Sequence, residues 1–445
     1  MLDFLVRNKL LVIIFAVWYT VGSASPILFY PVGVLTILLL WRKAMYFEIF
    51  LGFFFILILS DNLKYTTDFA KTFKNIYVLL LTAIAILDRK NFPIQSKILP
   101  YFLPFIALSI VGMFYSPQMF ISFQKTLSYA LLLFVVPQFF VNAFHNRGPE
   151  VVKDLIYFAV AMILLGFAIR FTAPNLVYSH GGRFRGIFGN PNGLGIFGSL
   201  VFAFALISRE YFKALFSKAD LRWIFIPIII ALVLSGSRSA VIAVVLFFIF
   251  SRFYRYSPFL GFILFLTSAF AAQLLSRNLI EIVYALGISD YFRVETLEDG
   301  SGRYIAWDFA WQSIQDYFWF GRGFDFDVWL METNQDFLND LGHQGGVHNT
   351  YLIIWLNTGL AGLILFLRGF LILIMKGAKN APMAFPLLWM VLFSVMLEPW
   401  LAASLNPFTI LFLMSLSLLT HPVFQPYIRG ELRSTQTPNE EPILA

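Results

Sequence analysis

Long runs of apolar residues dominate the chain, separated by short segments that hold charged residues, Gly, Pro or Asn. A membrane-crossing helix needs about 20 apolar residues, and about fourteen runs approach that length. Several are short, so the pattern predicts about twelve to fourteen transmembrane helices. The runs are residues 9–24, 26–41, 46–60, 75–87, 98–114, 125–141, 152–171, 192–207, 222–235, 239–252, 258–275, 348–367, 383–397 and 401–419.

Composition supports a membrane protein. The 445 residues are 59% apolar and 13% charged, whereas soluble domains average about 45–50% and about 25%. Outer-membrane barrels show alternating segments of about 10 residues, and the runs here are continuous. We therefore expect an all-α integral membrane protein, with the first run retained as a helix.

Basic residues suggest an orientation. Most of the 32 Lys and Arg residues fall in the short loops on one side if the N-terminus is cytoplasmic. The expected parts are N-terminal helices to 175, helices with arginine motifs over 176–275, a periplasmic loop over 276–347 that contains an amphipathic helix, and C-terminal helices over 348–420. A Pro- and Glu-rich tail, 421–445, is expected to be cytoplasmic and disordered.

Beyond Lys125, every basic residue on the outer side is an arginine. The planar guanidinium grips phosphate through two parallel hydrogen bonds, although such side chains also satisfy loop carbonyls or bind lipid headgroups. These residues are Arg170, Arg183, Arg185, Arg238, Arg277, Arg293, Arg303 and Arg322.

Two of these arginines precede a helix start. Arg183 and Arg185 lie just before Asn190 and Asn192, and Asn190 with Pro191 is typical of a capped helix N-terminus. Because that helix runs inward, its positive dipole end faces outward and favours anions.

Arg238 lies in the turn between two further spans. Residues 222–235 reach only about 21 Å, so the turn lies either in a recess of the membrane, with Arg238 at depth and Ser237 as a cap, or at a shallow hairpin tip.

The long outer loop carries another arginine. Arg303 leads into Trp307, Trp311, Ile314 and Phe318, which repeat at helical spacing. This amphipathic helix lies on the membrane or caps a cavity, and its Trp residues serve as interfacial anchors or stack on sugar rings.

His348, followed by Asn349 and Tyr351, opens the next span. His348 is either a general base or a helix cap or interfacial residue. His343 lies five residues upstream of it, and His180 lies close to Arg183. Glu398, in an outer turn, orients His348, pairs with an arginine or belongs to a plain Pro turn.

Other chemistry receives little support. No acidic cluster has the spacing of a metal site, and no P-loop, Rossmann or nucleic-acid motif is convincing. We expect no metal, no cofactor and no nucleic-acid partner.

The ordered motifs resemble the O-antigen ligase and O-antigen polymerase superfamily of bacterial envelope enzymes. They are Arg183-x-x-Gly with Asn190-Pro-Asn192, Ser237-Arg238, Arg303 before Trp307 with Gly321-x-Gly323, and His348-Asn-x-Tyr351 before Gly359. The resemblance covers residues 180–420, and the second arginine, Arg185, departs from the pattern.

The resemblance implies a GT-C-like, metal-independent, inverting glycosyltransferase of the bacterial inner membrane, with its site facing the periplasm. The donor would be a glycan on undecaprenyl diphosphate. The acceptor would be a lipid A–core sugar for a ligase, a lipid-linked repeat for a polymerase, or a protein hydroxyl for an O-oligosaccharyltransferase.

Charge then suggests roles within such a site. Arg183 or Arg185, Arg238 and Arg303 would stabilise the departing diphosphate. His348 would take the acceptor proton, with Asn190, Asn192, Ser237, Asn349, Tyr351 and Glu398 in support. A transporter of a small anion or of a lipid-linked glycan is the rival class, although it would more often show two matching halves and broken helices near the midplane.

Overall fold

The computed structural model describes residues 2–62, 65–179, 181–254, 257, 259–267, 303–343 and 345–432. Half of the apolar run 258–275 and the remainder of the loop to residue 302 lie outside the described residues, as do His180, Arg277 and Arg293.

The named elements are helices, and the described ranges contain one isolated β-bridge, between Tyr178 and Phe184. In chain order, the α-helices are α1 Leu2–Arg7, α2 Lys9–Ala24, α3 Pro26–Arg42, α4 Tyr46–Ser60, α5 Asp68–Leu87, α6 Leu99–Gly112, α7 Met119–Arg147, α8 Glu150–Thr172, α9 Pro174–Val177, α10 Pro191–Tyr211, α11 Lys218–Ser235, α12 Arg238–Phe253, α13 Arg303–Asp316, α14 Phe326–Thr333, α15 Gln335–Asp340, α16 Thr350–Ala378, α17 Ala384–Leu397, α18 Pro407–Thr420 and α19 Gln425–Ile428.

Helix α4 lies at the centre of the molecule. Every one of its residues is buried, as its continuous apolar sequence predicts for a helix with no polar face. It packs against α5, α7, α3, α2 and α18. The aromatic rings fill this core; Phe15 stacks on Phe55 with centroids 4.3 Å apart.

Helices at the periphery of the bundle expose apolar side chains. Ile13 of α2 and Ile27 of α3 are 59% and 79% exposed, which suits contact with lipid. Five described helices (α5, α7, α8, α10 and α16) are long and apolar enough to cross a membrane, and shorter apolar helices accompany them. The protein is therefore an all-α, multi-pass membrane protein, as predicted; the count of twelve to fourteen spans stays a prediction.

Charged pairs gather at one end of the helices. There Arg7 pairs with Asp154 at 2.7 Å, Lys153 pairs with Asp220 at 3.0 Å, and Arg147 pairs with Glu48. With a cytoplasmic N-terminus, the predicted orientation places Arg7, Arg147 and Lys153 on the cytoplasmic side. The cytoplasmic assignment itself stays a prediction.

The outer loop is joined to α16 through backbone contacts. At Gly359, with φ 69° and ψ 179°, the helix breaks. The amides of Leu360 and Ala361 donate to the carbonyls of Phe318 and Trp319 at 2.8 and 3.2 Å. Gly323 N in turn donates to Asn357 O at 2.7 Å. The loop thereby supplies partners for backbone groups that the broken helix leaves unpaired.

Glycine is required at this crossing. A Cβ on Gly359 would overlap the carbonyl carbon of Trp319, and one on Gly321 would lie 2.5 Å from the carbonyl carbon of Asn357. Close backbone approach therefore explains two of the motif glycines, Gly321 and Gly359.

The expected disordered tail is partly folded. Residues 422–428 form a short 3-10 helix followed by α19. Phe424 and Tyr427 are buried, with ring centroids 4.4 and 5.5 Å from that of Phe144. These two aromatic residues explain the order up to Leu432; the remainder of the tail, 433–445, lies outside the described residues.

We expect Gly359→Ala to destabilise the folded protein. The required backbone conformation alone costs an alanine about 1–3 kcal/mol, and the overlap with Trp319 adds to that. The measurement is the midpoint of thermal unfolding of the purified protein in detergent. Gly181→Ala is the control, because a Cβ on Gly181 meets nothing within 4 Å; equal midpoints for both variants would contradict the docking.

Candidate functional site

Arg183 is held over the end of α11. The bridge between Tyr178 and Phe184 closes a short hairpin, and Phe184 N donates to Leu234 O at 3.3 Å. Arg183 Nε donates to the carbonyl of Ser235 at 2.8 Å. The guanidinium of Arg183 therefore joins its own motif to the turn that contains Ser237 and Arg238.

A hydrogen-bonded chain then crosses from Arg183 to the outer loop. Arg183 donates to Asn192 Oδ1 at 2.9 Å, and Asn192 donates from Nδ2 to Glu398 Oε1 at 3.0 Å. Arg303 donates to the same carboxylate oxygen at 2.8 Å. Glu398 thus pairs with an arginine, one of the three roles left open by the sequence.

Burial of Glu398 strengthens its electrostatic interactions with Arg303 and Arg183. Glu398 is 4% exposed, and burial raises its pKa, while Arg303, Arg183 and the bond from Asn192 act to lower the pKa. The arginines keep a carboxylate in place that would otherwise be costly to bury, and the carboxylate in turn fixes both guanidinium groups.

The segment that carries His348 is attached to the same cluster. Thr350 Oγ1 donates to the backbone carbonyl of Glu398 at 2.9 Å, and Trp307 Nε1 donates to Val347 O at 2.9 Å. His348 itself has a positive φ of 52°, a conformation uncommon outside glycine and often found at functional sites. Trp307 therefore braces this loop, a role that neither sequence-based reading anticipated.

His348 is electrostatically tuned to stay neutral. Burial lowers its pKa to about 4, and the charges of Arg303 and His343 act in the same direction. The ring centroids of His343 and His348 are 6.5 Å apart. The Nδ1 atom of His348 is buried and has no hydrogen-bond partner among the described residues.

Several predicted residues serve the backbone. Asn190 caps α10 by accepting from Gly193 N at 2.7 Å, and Asn349 caps α16 by accepting from Tyr351 N at 2.9 Å. The hydroxyl of Tyr351 donates to Leu392 O at 2.9 Å and so ties α16 to α17.

Arg185 is directed to its own loop. Its guanidinium donates to the carbonyls of Gly189 at 3.1 Å and Leu176 at 3.4 Å. Of the two neighbouring arginines, Arg183 is the one bonded to the chain that contains Glu398.

The second motif lies beside α10. A Cβ on Gly195 would lie 2.6 Å from the Cβ of Ser237, so the start of α12 packs closely on α10. Ser237 makes no side-chain cap of α12, contrary to expectation; its hydroxyl lies 3.3 Å from that of Ser239. Arg238, the first residue of α12, is half-buried.

Sequence reasoning missed Asp61. Its Oδ2 accepts from Gly189 N at 3.1 Å and lies 3.2 Å from the Cβ position of Gly193. The start of α10, expected to attract a bound anion, is thus already occupied by this carboxylate. Burial raises the pKa of Asp61, and the bond from Gly189 and the charge of Lys74 oppose that effect. The polar triplet Ser60-Asp61-Asn62 after an unbroken apolar run was the available signal.

A cavity of about 550 Å³ opens beside His348. Its lining joins α5, α7, α14 and the segments 346–357 and 399–405, and its polar side chains include Lys74, Lys125, Asp325, Asp327 and Asn357. Lined by those side chains, the space has a size typical of small-ligand pockets. Among the described residues, no group of three or more His, Asp or Glu side chains is placed to hold a metal ion.

Comparison with known families agrees with the motifs. Residues 223–367 match the family described as O-antigen ligase. This match covers about a third of the chain and supports the resemblance to the O-antigen ligase and polymerase superfamily. The matched residues of this glycosyltransferase-type family include Arg238, Arg303 and His348, whereas Arg183 and Glu398 lie outside the match. A search of curated proteins finds no match.

We expect Glu398→Gln to destabilise the protein by about 1–3 kcal/mol, because two arginines then lose their shared counter-charge. Removing one partner of a fully buried ion pair costs about 3–5 kcal/mol. The expected loss is smaller here because Arg303 is partly exposed. Thermal unfolding in detergent measures the change. Glu431→Gln is the control, since its pair with Arg429 at 3.6 Å is exposed and is worth less than about 1 kcal/mol. An unfolding midpoint for Glu398→Gln equal to that of the control would remove the ion pair from the list of stabilising contacts.

Proposed function

We propose that this protein is an O-antigen ligase-type enzyme. It moves a glycan from undecaprenyl diphosphate to a sugar hydroxyl of lipid A–core at the periplasmic face of the inner membrane. The observation that carries the proposal is the hydrogen-bonded chain of Arg183, Asn192, Glu398 and Arg303, with His348 next to it.

The arginines supply charge where the leaving group forms. In transfer, the bond between the sugar anomeric carbon and the diphosphate oxygen breaks, and its electron pair stays on the diphosphate. Glu398 holds Arg303 directly and Arg183 through Asn192, so both guanidinium groups stabilise that charge without reorganising. Arg238 lies one turn from Ser235, the residue whose carbonyl accepts from Arg183, and is assigned to the same group.

His348 acts on the other reactant. The acceptor oxygen attacks the anomeric carbon, and its proton passes to the neutral imidazole. Direct attack inverts the anomeric centre. No metal step is needed in this scheme because the guanidinium groups neutralise the diphosphate.

Donor binding strengthens the base. In the free enzyme, Arg303 helps to lower the pKa of His348. A diphosphate bound to Arg303 brings negative charge close to the imidazole and so raises that pKa. His348 therefore becomes a better proton acceptor once the donor is bound.

The decisive experiment is a deletion strain whose envelope glycans are separated on a gel. Loss of polymer on lipid A–core, with lipid-linked polymer accumulating, supports the ligase. Single-repeat products on lipid A–core would instead mean a polymerase, and glycan missing from protein would mean an O-oligosaccharyltransferase. Unchanged glycans would overturn glycosyl transfer and favour transport.

We expect His348→Ala to lower kcat at least about 100-fold, because general-base catalysis typically contributes 10²–10⁴-fold. The assay uses purified protein in proteoliposomes with lipid-linked donor, and donor binding is measured separately and should be retained. His145→Ala, near the other end of the helices on the last turn of α7, is the control. Normal turnover by His348→Ala would exclude the assigned role.

The pH profile should follow from the lowered pKa of His348. A base must be unprotonated, and the folded pKa of about 4 keeps His348 neutral well below the usual imidazole value of about 6.5. We therefore expect kcat/KM for the free enzyme to hold from pH 7 to pH 5 and to fall only near pH 4. A decline centred between pH 6 and 7 would contradict this environment for His348.

A further inference from the structure

The cavity beside His348 is lined by that residue but by none of the described arginines. His348 and Pro399 are part of its wall, whereas Glu398, the neighbour of Pro399, bonds to Arg303 and Asn192. The described lining residues include no arginine. His348 is therefore reached from the cavity, whereas the guanidinium cluster is held at Glu398, next to the lining residue Pro399.

In-line displacement requires the acceptor hydroxyl and the departing diphosphate to lie on opposite sides of the anomeric carbon. The attacking oxygen must approach the anomeric carbon opposite to the departing diphosphate. With the diphosphate on the arginine side, the attacking hydroxyl comes from the side of the cavity, where His348 is available to take its proton.

The cavity lining has the groups that bind sugar hydroxyls. Asp327 is anchored at both ends of Asn357: its Oδ1 accepts from Asn357 Nδ2 at 2.8 Å, and its amide donates to Asn357 Oδ1 at 3.1 Å. This leaves the second oxygen of a fixed carboxylate as a hydrogen-bond acceptor. Gln124, Asn75 and Ser128 add further donors and acceptors to the wall.

Asp325 is held in an uncommon conformation at the same place. Its φ is 80°, and its carboxylate pairs with Lys125 while remaining 7% exposed. Non-glycine residues in this region are strained and tend to occur where function requires them. The pair supplies one donor and one acceptor group to the cavity and adds no net charge.

The formal charges of the lining balance. Lys74 and Lys125 are offset by Asp325 and Asp327. A wall with balanced charge and many hydrogen-bonding groups suits an uncharged, hydroxyl-rich ring better than a phosphate. Phe324 and Tyr129, whose rings stack with centroids 6.0 Å apart, add an apolar surface to the wall.

We propose that this cavity is the acceptor subsite and binds an uncharged sugar ring, with the carboxylates of Asp327 and Asp325 receiving hydrogen bonds from its hydroxyls. The proposal rests on the proposed function, since it assigns the second substrate of the same transfer. Asp327 and Asp325 are substrate-binding residues in this scheme, Lys125 pairs with Asp325, and His348 alone moves the proton.

The test measures the KM for each substrate separately. It uses full-length protein in nanodiscs, lipid-linked glycan as donor and lipid A–core as acceptor. Asp327→Asn keeps the bond to Asn357 but weakens hydroxyl binding, so the acceptor KM should rise about tenfold while the donor KM stays unchanged. Asp336→Asn, an exposed carboxylate on α15, is the matched control and should leave both constants unchanged.

A second variant fills the space. Ala403 lines the cavity and is exposed, so Ala403→Trp should reduce access without disturbing the core and should raise the acceptor KM in the same way. A rise in the donor KM alone would assign the cavity to the donor glycan and overturn the proposal. Unchanged constants in both variants would also overturn it.

Sugar binding is also measured without turnover, which separates this inference from the proposed function. Saturation-transfer NMR with the core oligosaccharide freed from lipid A should give a signal with wild-type protein and His348→Ala, and a much weaker one with Asp327→Asn. An equal signal from Asp327→Asn would overturn the subsite even if transfer is confirmed. A signal that depends on Asp327 in a protein that transfers nothing would support the subsite and refute the transfer.

Discussion

The outer end of this protein depends on one buried carboxylate. Glu398 accepts from Asn192 and Arg303 through the same oxygen, and Asn192 links it to Arg183. The partners come from two parts of the chain that are distant from Glu398 and from each other: the loop before α10 together with the first turn of α10, and the start of α13. A buried carboxylate requires such partners, and the guanidinium groups require a counter-charge to stay fixed. The ion pair therefore acts as the joint between the helix bundle and the outer loop.

A second constraint fixes the position of the loop segment 318–323 relative to α16. The backbone of residues 318–323 docks into the break of α16 at Gly359, where hydrogen bonds run in both directions between the two segments. The side chain of Trp355 reinforces the joint, because its Nε1 donates to Phe318 O at 2.9 Å. Together with the bond from Trp307 to Val347, it sets the position of the segment that ends in His348.

These two joints bring the positively charged arginines close to His348, whose imidazole must stay neutral to act as a base. The arginines are suited to an anionic leaving group, and their field opposes protonation of His348. An enzyme that transfers a sugar from a diphosphate needs both properties, because the leaving group gains charge while the base must be free to accept a proton. In the scheme we propose, the balanced formal charge of the cavity lined by His348 keeps recognition of an uncharged acceptor apart from stabilisation of the anionic leaving group.

The sequence alone determined the fold class and suggested which residue types the candidate site would contain. Continuous apolar runs predicted most helices to within a few residues, since burial in lipid or in a Phe-rich core leaves such segments few alternatives. The order of Arg183, Arg238, Arg303 and His348 indicated the family. Only the tertiary structure decided which groups meet. Arg183 and Arg185 are two residues apart, and packing directs one to Glu398 and the other to its own loop carbonyls. Likewise, the role of Asp61 at the start of α10 and the cavity between α7 and α14 depend on contacts between residues more than a hundred positions apart, which local patterns do not specify.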